Sequence, residues 1–294
     1  YTPLFHGQYY NAMVVDQEEG TSKYIKDKEN GKYIEVKQGG KIVYESDKTT
    51  IFPRMWSNDE SRNHPTYYKM WAGIDENSDR KPTFAENLTY FFRYQVNHMY
   101  WRYFMWNFAG RQNDIQSHGL NLSGNEPTNV SNGTKDLLHG NWITGIDFID
   151  ELRLGPQDNL PNDLANNAGK NKLFCLPLLL GLAGLIFHIK KSPKDSFVVF
   201  LLFFMTGLAI VLYLNQPPAQ PRERDYAYAG SFYAFSIWIG LGVFALYEWT
   251  QRIKKIKPEL RATILGVICL FAVPVLMASE EWDDHDRSGR YMAR

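Results

Sequence analysis

Beyond residue 172 the chain carries four apolar runs, 173–189, 197–214, 226–249 and 262–278, with almost no charge inside them. Each is close to the ~20 residues an α-helix needs to cross ~30 Å of hydrocarbon. A buried bundle in a water-soluble protein also uses apolar helices. Four such runs within about a hundred residues, with the charges confined to the joints, instead predict a membrane domain over 171–279.

The averages hide this patterning. Over 294 residues, Lys+Arg 32 balances Asp+Glu 32, and the mean hydropathy of -0.38 is that of an ordinary soluble protein. The balance excludes a generally basic nucleic-acid binder and an acidic disordered chain, so no nucleic-acid partner is expected. The two cysteines, Cys175 and Cys269, lie in apolar runs without a CxxC pair or Cys/His cluster. A disulfide scaffold and a structural zinc site are therefore not expected, and no metal site is assigned. The chain opens at Tyr1 without a targeting segment and closes after a run of charge, as a piece of a longer protein would.

Charge at the joints orients the runs. The first joint carries Lys190, Lys191 and Lys194, and the third carries Arg252, Lys254, Lys255, Lys257 and Arg261 against Glu259. Short basic loops stay cytoplasmic, which places residues 1–170, the second joint (215–225) and the tail (280–294) together on the opposite, external side. His188 near the end of the first run reads as an interfacial residue.

Residues 1–170 are polar and rich in turns. The segment 32–37 alternates in the strand period, with Ile34 and Val36 on one face, and lies between Asn30-Gly31 and Gly39-Gly40. With 41–44 as the next strand, this predicts a small β-meander over about 23–45. Pro53, Pro65 and Pro82 then divide the chain into irregular or short helical pieces. A helix is predicted over 89–109 with an extreme content of Tyr, Phe and Trp; its polar residues Arg93, Gln95, Asn97, His98, Arg102 and Asn107 fall on no single face. Aromatic belts at a membrane interface and buried aromatic helices use the same residues, and both readings stand here. The segment 115–140 reads as a loop rich in Asn, Ser and Gly, and the sequons at Asn87, Asn121, Asn129 and Asn132 read as chance matches. The fold class expected is thus a mainly α membrane protein, four transmembrane helices following an α+β, loop-rich extracytoplasmic region.

No Walker loop, GxSxG, HExxH or strand-linked GxGxxG is present, so no catalytic residue is assigned. The second joint is the strongest candidate: Pro217, Pro218 and Pro221 stiffen it, and it delivers Arg222, Glu223, Arg224 and Asp225 to the membrane surface. Guanidiniums suit phosphate or diphosphate, as on a lipid-linked donor; the plainer reading is an internally paired cluster that marks the boundary. A second candidate follows the aromatic segment. There Arg111 and Asp114 are candidates for sugar or phosphate contact, with Trp101, Trp106 and Asn107 near the sugar or acceptor. The plainer reading is a helix end, capped by Gly110 in the left-handed conformation with Arg111 on the helix dipole. The acidic tail, Asp283, Asp284, His285 and Asp286, reads as a solvated stretch.

The segments HGQYYNA (6–12), FPRMW (52–56), NHMYWRYFMWNFAGRQND (97–114), GNWITGIDFID (140–150), YLNQPPAQPRERDYAYAGSFYAFSIWIGLG (213–242) and WDDHDRS (282–288) resemble a Bacteroidetes membrane-protein family, domain of unknown function 2723. That family resembles C-type glycosyltransferases and a vertebrate protein O-mannosyltransferase. The resemblance implies a polyprenyl-phosphate sugar as donor substrate, mannose as the sugar, protein hydroxyls as acceptor, and a bacterial inner membrane location. It also implies an N-terminal block of spans upstream of Tyr1 that holds the usual catalytic carboxylate, so the piece alone is expected to be inactive. The competing expectation is a membrane-anchored scaffold with an external interaction domain. A transporter is disfavoured, because no run carries an ionisable residue at mid-span.

Overall fold

The computed structural model describes residues 3–27, 30–121, 133–157, 160–251 and 257–285, and the chain packs as two units. The first is Tyr1–Arg93 with Asn215–Ala219, and the second is Tyr94–Leu214 with Gln220–Arg294. The third-joint residues Arg252, Lys254 and Lys255, the sequons at Asn129 and Asn132, and Asp286 lie outside the described residues.

Among its described residues the first unit contains six strands: β1 (His6–Gln8), β2 (Val14–Gln17), β3 (Thr21–Lys26), β4 (Tyr33–Gln38), β5 (Ile42–Tyr44) and β6 (Thr49–Ile51). They nest, β3 with β4, β2 with β5 and β1 with β6, all antiparallel. This corrects the predicted meander. Asn30-Gly31 does turn the chain, with Gly31 at φ 64 and Ile25 opposite Ile34. Gly39-Gly40, however, makes no second hairpin. It carries the returning strand onward to β2, past the Glu18 carbonyl, which would lie 2.6 Å from any Cβ at Gly40. Pairing across the whole ribbon thus wins over a local two-residue turn.

Two helices follow. α1 (His64–Ala72) carries Pro65 in its first turn and stops at Gly73, whose N–H reaches the Lys69 and Met70 carbonyls. α2 (Phe84–Tyr90) starts on a capping box between Thr83 and Glu86. Their buried faces meet in tyrosines: the rings of Tyr68 and Tyr90 are 4.8 Å apart, and those of Tyr10 and Tyr68 are 5.6 Å apart. Asn87 is fully buried. Its side-chain oxygen accepts from the N–H groups of Arg54 (2.9 Å) and Met55 (3.4 Å), and its amide donates to Phe52 O at 2.8 Å, so this sequon is spent on the fold. Asn215 is equally buried and donates to the carbonyls of Pro3 (2.6 Å) and Pro53 (2.8 Å).

The helix predicted over 89–109 is present, beginning earlier with α2 and continuing through a π-helical stretch, Phe91–Trp101, into α3 (Arg102–Phe108). The i→i+5 spacing explains why its polar residues match no 3.6-residue face. Within the second unit its side chains Tyr94, His98, Tyr100, Tyr103, Phe104 and Trp106 are buried, which decides for the core over the interface. Then come β7 (Gly110–Arg111), α4 (Asp147–Leu154), α5 (Asn162–Ala165) and β8 (Asn171–Lys172), which pairs with β7. Gly110 does not cap α3 in the left-handed conformation. It sits at φ 144 inside β7, where any Cβ would meet Asn171 O at 2.6 Å.

The apolar runs fold as α6 (Leu176–Lys191), α7 (Pro193–Thr206), α8 (Leu208–Leu214), α9 (Ala229–Thr250), α10 (Pro258–Leu270), a π turn at Phe271–Val275 and α11 (Leu276–His285). Among the described residues, three stretches are long and apolar enough to cross a membrane: Pro193–Leu214, Asp225–Thr250 and Pro258–Trp282. The expected fourth is shorter than its run. Phe174 and Cys175 have positive φ and Leu173 is buried, so α6 begins at Leu176 and has 16 residues, about 24 Å. The π turn accommodates Pro274, which lacks the N–H of an ordinary helical turn.

The helices are held by close approach. Gly184 of α6 lies against α9, where an added Cβ would fall 1.8 Å from Trp238 O, and one at Gly242 would fall 2.2 Å from Leu180 O. Phe104, Met105 and Phe108 of α3 pack with Phe235 and Trp238 of α9. His188 accepts from Trp238 Nε1 at 3.3 Å and so has an internal partner. Lys191 and Glu248 pair at 2.9 Å where α6 and α9 end, and Glu280 accepts from Lys172 N at 2.8 Å near the head of α6.

Candidate functional site

The candidate site begins with an arginine inside an aromatic helix. Arg102 opens α3 among buried rings, where a guanidinium needs a carboxylate and carbonyls around it. The second joint supplies the carboxylate. Arg102 Nη2 donates to Glu223 Oε2 at 2.7 Å and Nη1 to Oε1 at 3.2 Å, a bidentate pair. Arg102 also donates to the carbonyls of Gly140 and His98, each at 2.9 Å, and stacks 4.6 Å from the Trp106 ring centre. Glu223 accepts further from the Tyr103 hydroxyl and from Ser117 N at 3.2 Å. Burial pushes the Glu223 carboxyl upward, but Arg102 and the donated hydrogen bonds outweigh it and hold it below the usual carboxylate range.

Two histidines border this pair. Burial, reinforced by the Arg102 charge, pushes His98 well below its ordinary range, and burial lowers His118 too, although Glu223 and Asp136 pull it back. A histidine that stays neutral in the folded state while the unfolded chain takes a proton near pH ~6.5 makes stability rise with pH. Stability is therefore complete above pH ~6.5 and falls on acidification below it, at up to about 1.4 kcal/mol per pH unit for each such group. Thermal unfolding followed from pH 8 to 5 in detergent checks this; His98→Gln should flatten the slope. The Glu223 contribution is lost only at lower pH, beneath the ordinary carboxylate value near ~4.3.

With Glu223 engaged by Arg102, the second joint is not internally paired, in contrast to the plainer expectation. Among the described residues, Arg222, Arg224 and Asp225 form no ion pair. Arg222 is exposed, with its guanidinium 5.8 Å from the Tyr226 ring centre. Arg224 is half-buried; its backbone N–H donates to the Tyr103 hydroxyl at 3.2 Å, while its Nε is sealed from solvent and makes no hydrogen bond. The hydroxyl of fully buried Tyr228, at the head of α9, is likewise without a hydrogen-bond partner. Asp225 opens the short 3-10 turn Asp225–Tyr228 that leads into α9.

The second group of candidates is not gathered into one place. Trp106 is buried with the guanidiniums of Arg102 and Arg111 stacked on it, the latter at 4.3 Å. Trp101 is partly exposed and stacks on Phe104. Asn107 donates back to Tyr103 O at 2.8 Å within its helix. Arg111 donates from Nε to Asn113 O at 3.0 Å, and Asp114 is exposed, its backbone N–H bonded to Asn167. Sequence reasoning overlooked Arg102, Tyr103 and Ser117 as partners of Glu223. The available signal was an Arg set between Trp101 and Tyr103, whose charge, once buried, demands a remote carboxylate.

A family model matches residues 1–92: DUF8416, a family of unknown function. This overturns the resemblance to domain of unknown function 2723, because the matched family is a different one and no match to 2723 supports the quoted segments. No curated protein and no solved structure matches the chain.

Proposed function

We propose that the chain is part of a multi-span membrane protein that holds the phosphate of a lipid-linked donor at the head of α9. Arg222 and Arg224 are the phosphate contacts, with the Tyr228 hydroxyl beside them. The observation that carries this is the allocation of charge: Glu223 is committed to Arg102, which among the described residues leaves two guanidiniums without a carboxylate where a membrane-length helix begins. A sealed Arg224 Nε and a sealed Tyr228 hydroxyl, both without partners, fit a site completed by an acceptor-rich ligand.

In its specific form the donor is a polyprenyl-phosphate sugar and the reaction is transfer of that sugar to protein hydroxyls. The polar half then lies on the periplasmic side of a bacterial inner membrane, and α6 is the fourth span. No residue described here is assigned as the base; the chain's own part is to bind and orient the donor. The competing reading, a scaffold with an external interaction domain, draws support from the exposed Tyr24, Tyr33 and Ile34 on the β3–β4 hairpin.

Binding of a polyprenyl phosphate to the full-length protein in nanodiscs separates the two. Arg224→Ala and Arg222→Ala together should weaken it about ten- to hundredfold, the worth of one or two charge-assisted hydrogen bonds. Undiminished binding would overturn the donor reading and leave the scaffold.

A further inference from the structure

Helix α4 carries an apolar surface that the rest of the unit does not cover. Phe148 is 72% exposed and Leu152 76%, with Ile146 and Ile149 exposed beside them. Phe148, Ile149 and Leu152 share one arc of the helix, Ile146 precedes it in extended conformation, and Asp147 and Glu151 lie along one edge of that arc. Scattered apolar residues on a surface need no explanation, but four large ones together do.

The helix is not loose. Its opposite face buries Asp150 and Leu154, and the Asp150 carboxylate accepts from Thr144 N (2.8 Å), Thr144 Oγ1 (3.1 Å) and Gly145 N (2.8 Å). Arg153 stacks 3.5 Å from the Trp142 ring centre and donates to the Trp142 carbonyl. The exposed arc is thus presented by a fixed frame.

Its position is equally defined. Gly145 backs onto Lys172 and Phe174, and Lys172 Nζ lies 4.0 Å from Asp147. Phe174, itself exposed, lies two residues before the start of α6, and α6 carries further exposed apolar residues at Leu176, Leu179, Leu182 and Ile186. At about 24 Å, α6 alone falls short of the ~30 Å hydrocarbon thickness. An apolar helix at its head extends the lipid-facing surface where α6 stops.

We infer that α4 lies in the membrane–water interface, with Phe148, Ile149 and Leu152 immersed at the headgroup–acyl boundary and Asp147 toward water. The bilayer is the occupant of this face, and the contact seats the head of α6. The inference needs α6 to lie in the membrane; it does not depend on phosphate binding at Arg222 and Arg224.

The test uses the full-length protein in phosphatidylcholine nanodiscs, with Cys175→Ala and Cys269→Ala as background and an environment-sensitive fluorophore on one introduced cysteine. At Phe148→Cys and Leu152→Cys, emission should be blue-shifted, and quenching by lipids spin-labelled high on the acyl chain should exceed iodide quenching about threefold. At Asp147→Cys the order should reverse. Iodide quenching at 148 and 152 equal to that at 147 would overturn the inference, and so would shielding from both quenchers, the result expected if a second copy or another protein covers the face. In the protein with its native cysteines, Leu152→Asp should raise the rate of limited proteolysis between α4 and α6 several-fold; an unchanged rate also counts against the contact.

Discussion

Arg102→Met should lower the stability of the full-length protein by about 3–5 kcal/mol, the cost of leaving a buried carboxylate without its partner. Glu223 is the group left behind. It would keep the Tyr103 hydroxyl and the Ser117 N–H but lose the bidentate guanidinium. The joint 220–225 would also lose its guanidinium contact to α3 and be left there with the Tyr103 hydroxyl, which meets both Glu223 and Arg224 N. The double variant Arg102→Met/Glu223→Met separates charge from packing. If the loss arises from an uncompensated charge, the double variant should recover most of it; if the pair serves chiefly to shape the joint, recovery should be small. Denaturant or thermal unfolding in one fixed detergent measures both. A single-variant loss below about 1 kcal/mol would mean that the pair behaves like an exposed ion pair.

Gly184→Leu should be at least as damaging. The backbones of α6 and α9 approach so closely that even a methyl at Gly184 would fall 1.8 Å from Trp238 O and 2.6 Å from Gly242 N. These are backbone atoms, which cannot rotate aside as a side chain can. The helices must separate, and with them the packing of Phe235 and Trp238 on Phe104 and Phe108. Overpacking of a tight core costs about 1–3 kcal/mol where side chains can adjust, and a displaced helix contact should exceed that range. Gly266→Leu is the control, because a Cβ there meets nothing within 4 Å. The expected result is loss of the folded, detergent-stable species for Gly184→Leu, with Gly266→Leu close to the parent. Equal stability of the two would show that the α6–α9 crossing does not determine the helix arrangement.

Particular elements show how far the chain could be read unaided. The apolar runs were legible because hydrocarbon imposes a length and excludes charge, constraints that act residue by residue along one helix. Even so, the start of α6 was not legible. Leu173 is as apolar as Leu176, and only its neighbours Ala109 and Cys175 explain why it is spent on a loop: its N–H donates to Ala109 O, and the chain turns at positive φ. The hairpin turn at Asn30-Gly31 was legible from local backbone preference, whereas the partner of 41–44 was not. Pairing of Ile42–Tyr44 with Val14–Gln17 depends on a strand that lies far back in the chain. At the candidate site, Arg222 through Asp225 stood out by charge, but their individual roles depended on Arg102, remote in sequence.

The sequence by itself thus determined the division between polar and apolar material, the number of apolar runs and the positions of the charged joints, because solvent preference and backbone turns are properties of short segments. Tertiary structure alone decided that Glu223 is a buried ion-pair partner while Arg222 and Arg224 have none among the described residues. It also decided that the aromatic helix is core while α4 is exposed, and that two glycines set the distance between α6 and α9. Each of these depends on which atoms from remote segments come within contact distance, and a charge or ring takes its role from those neighbours.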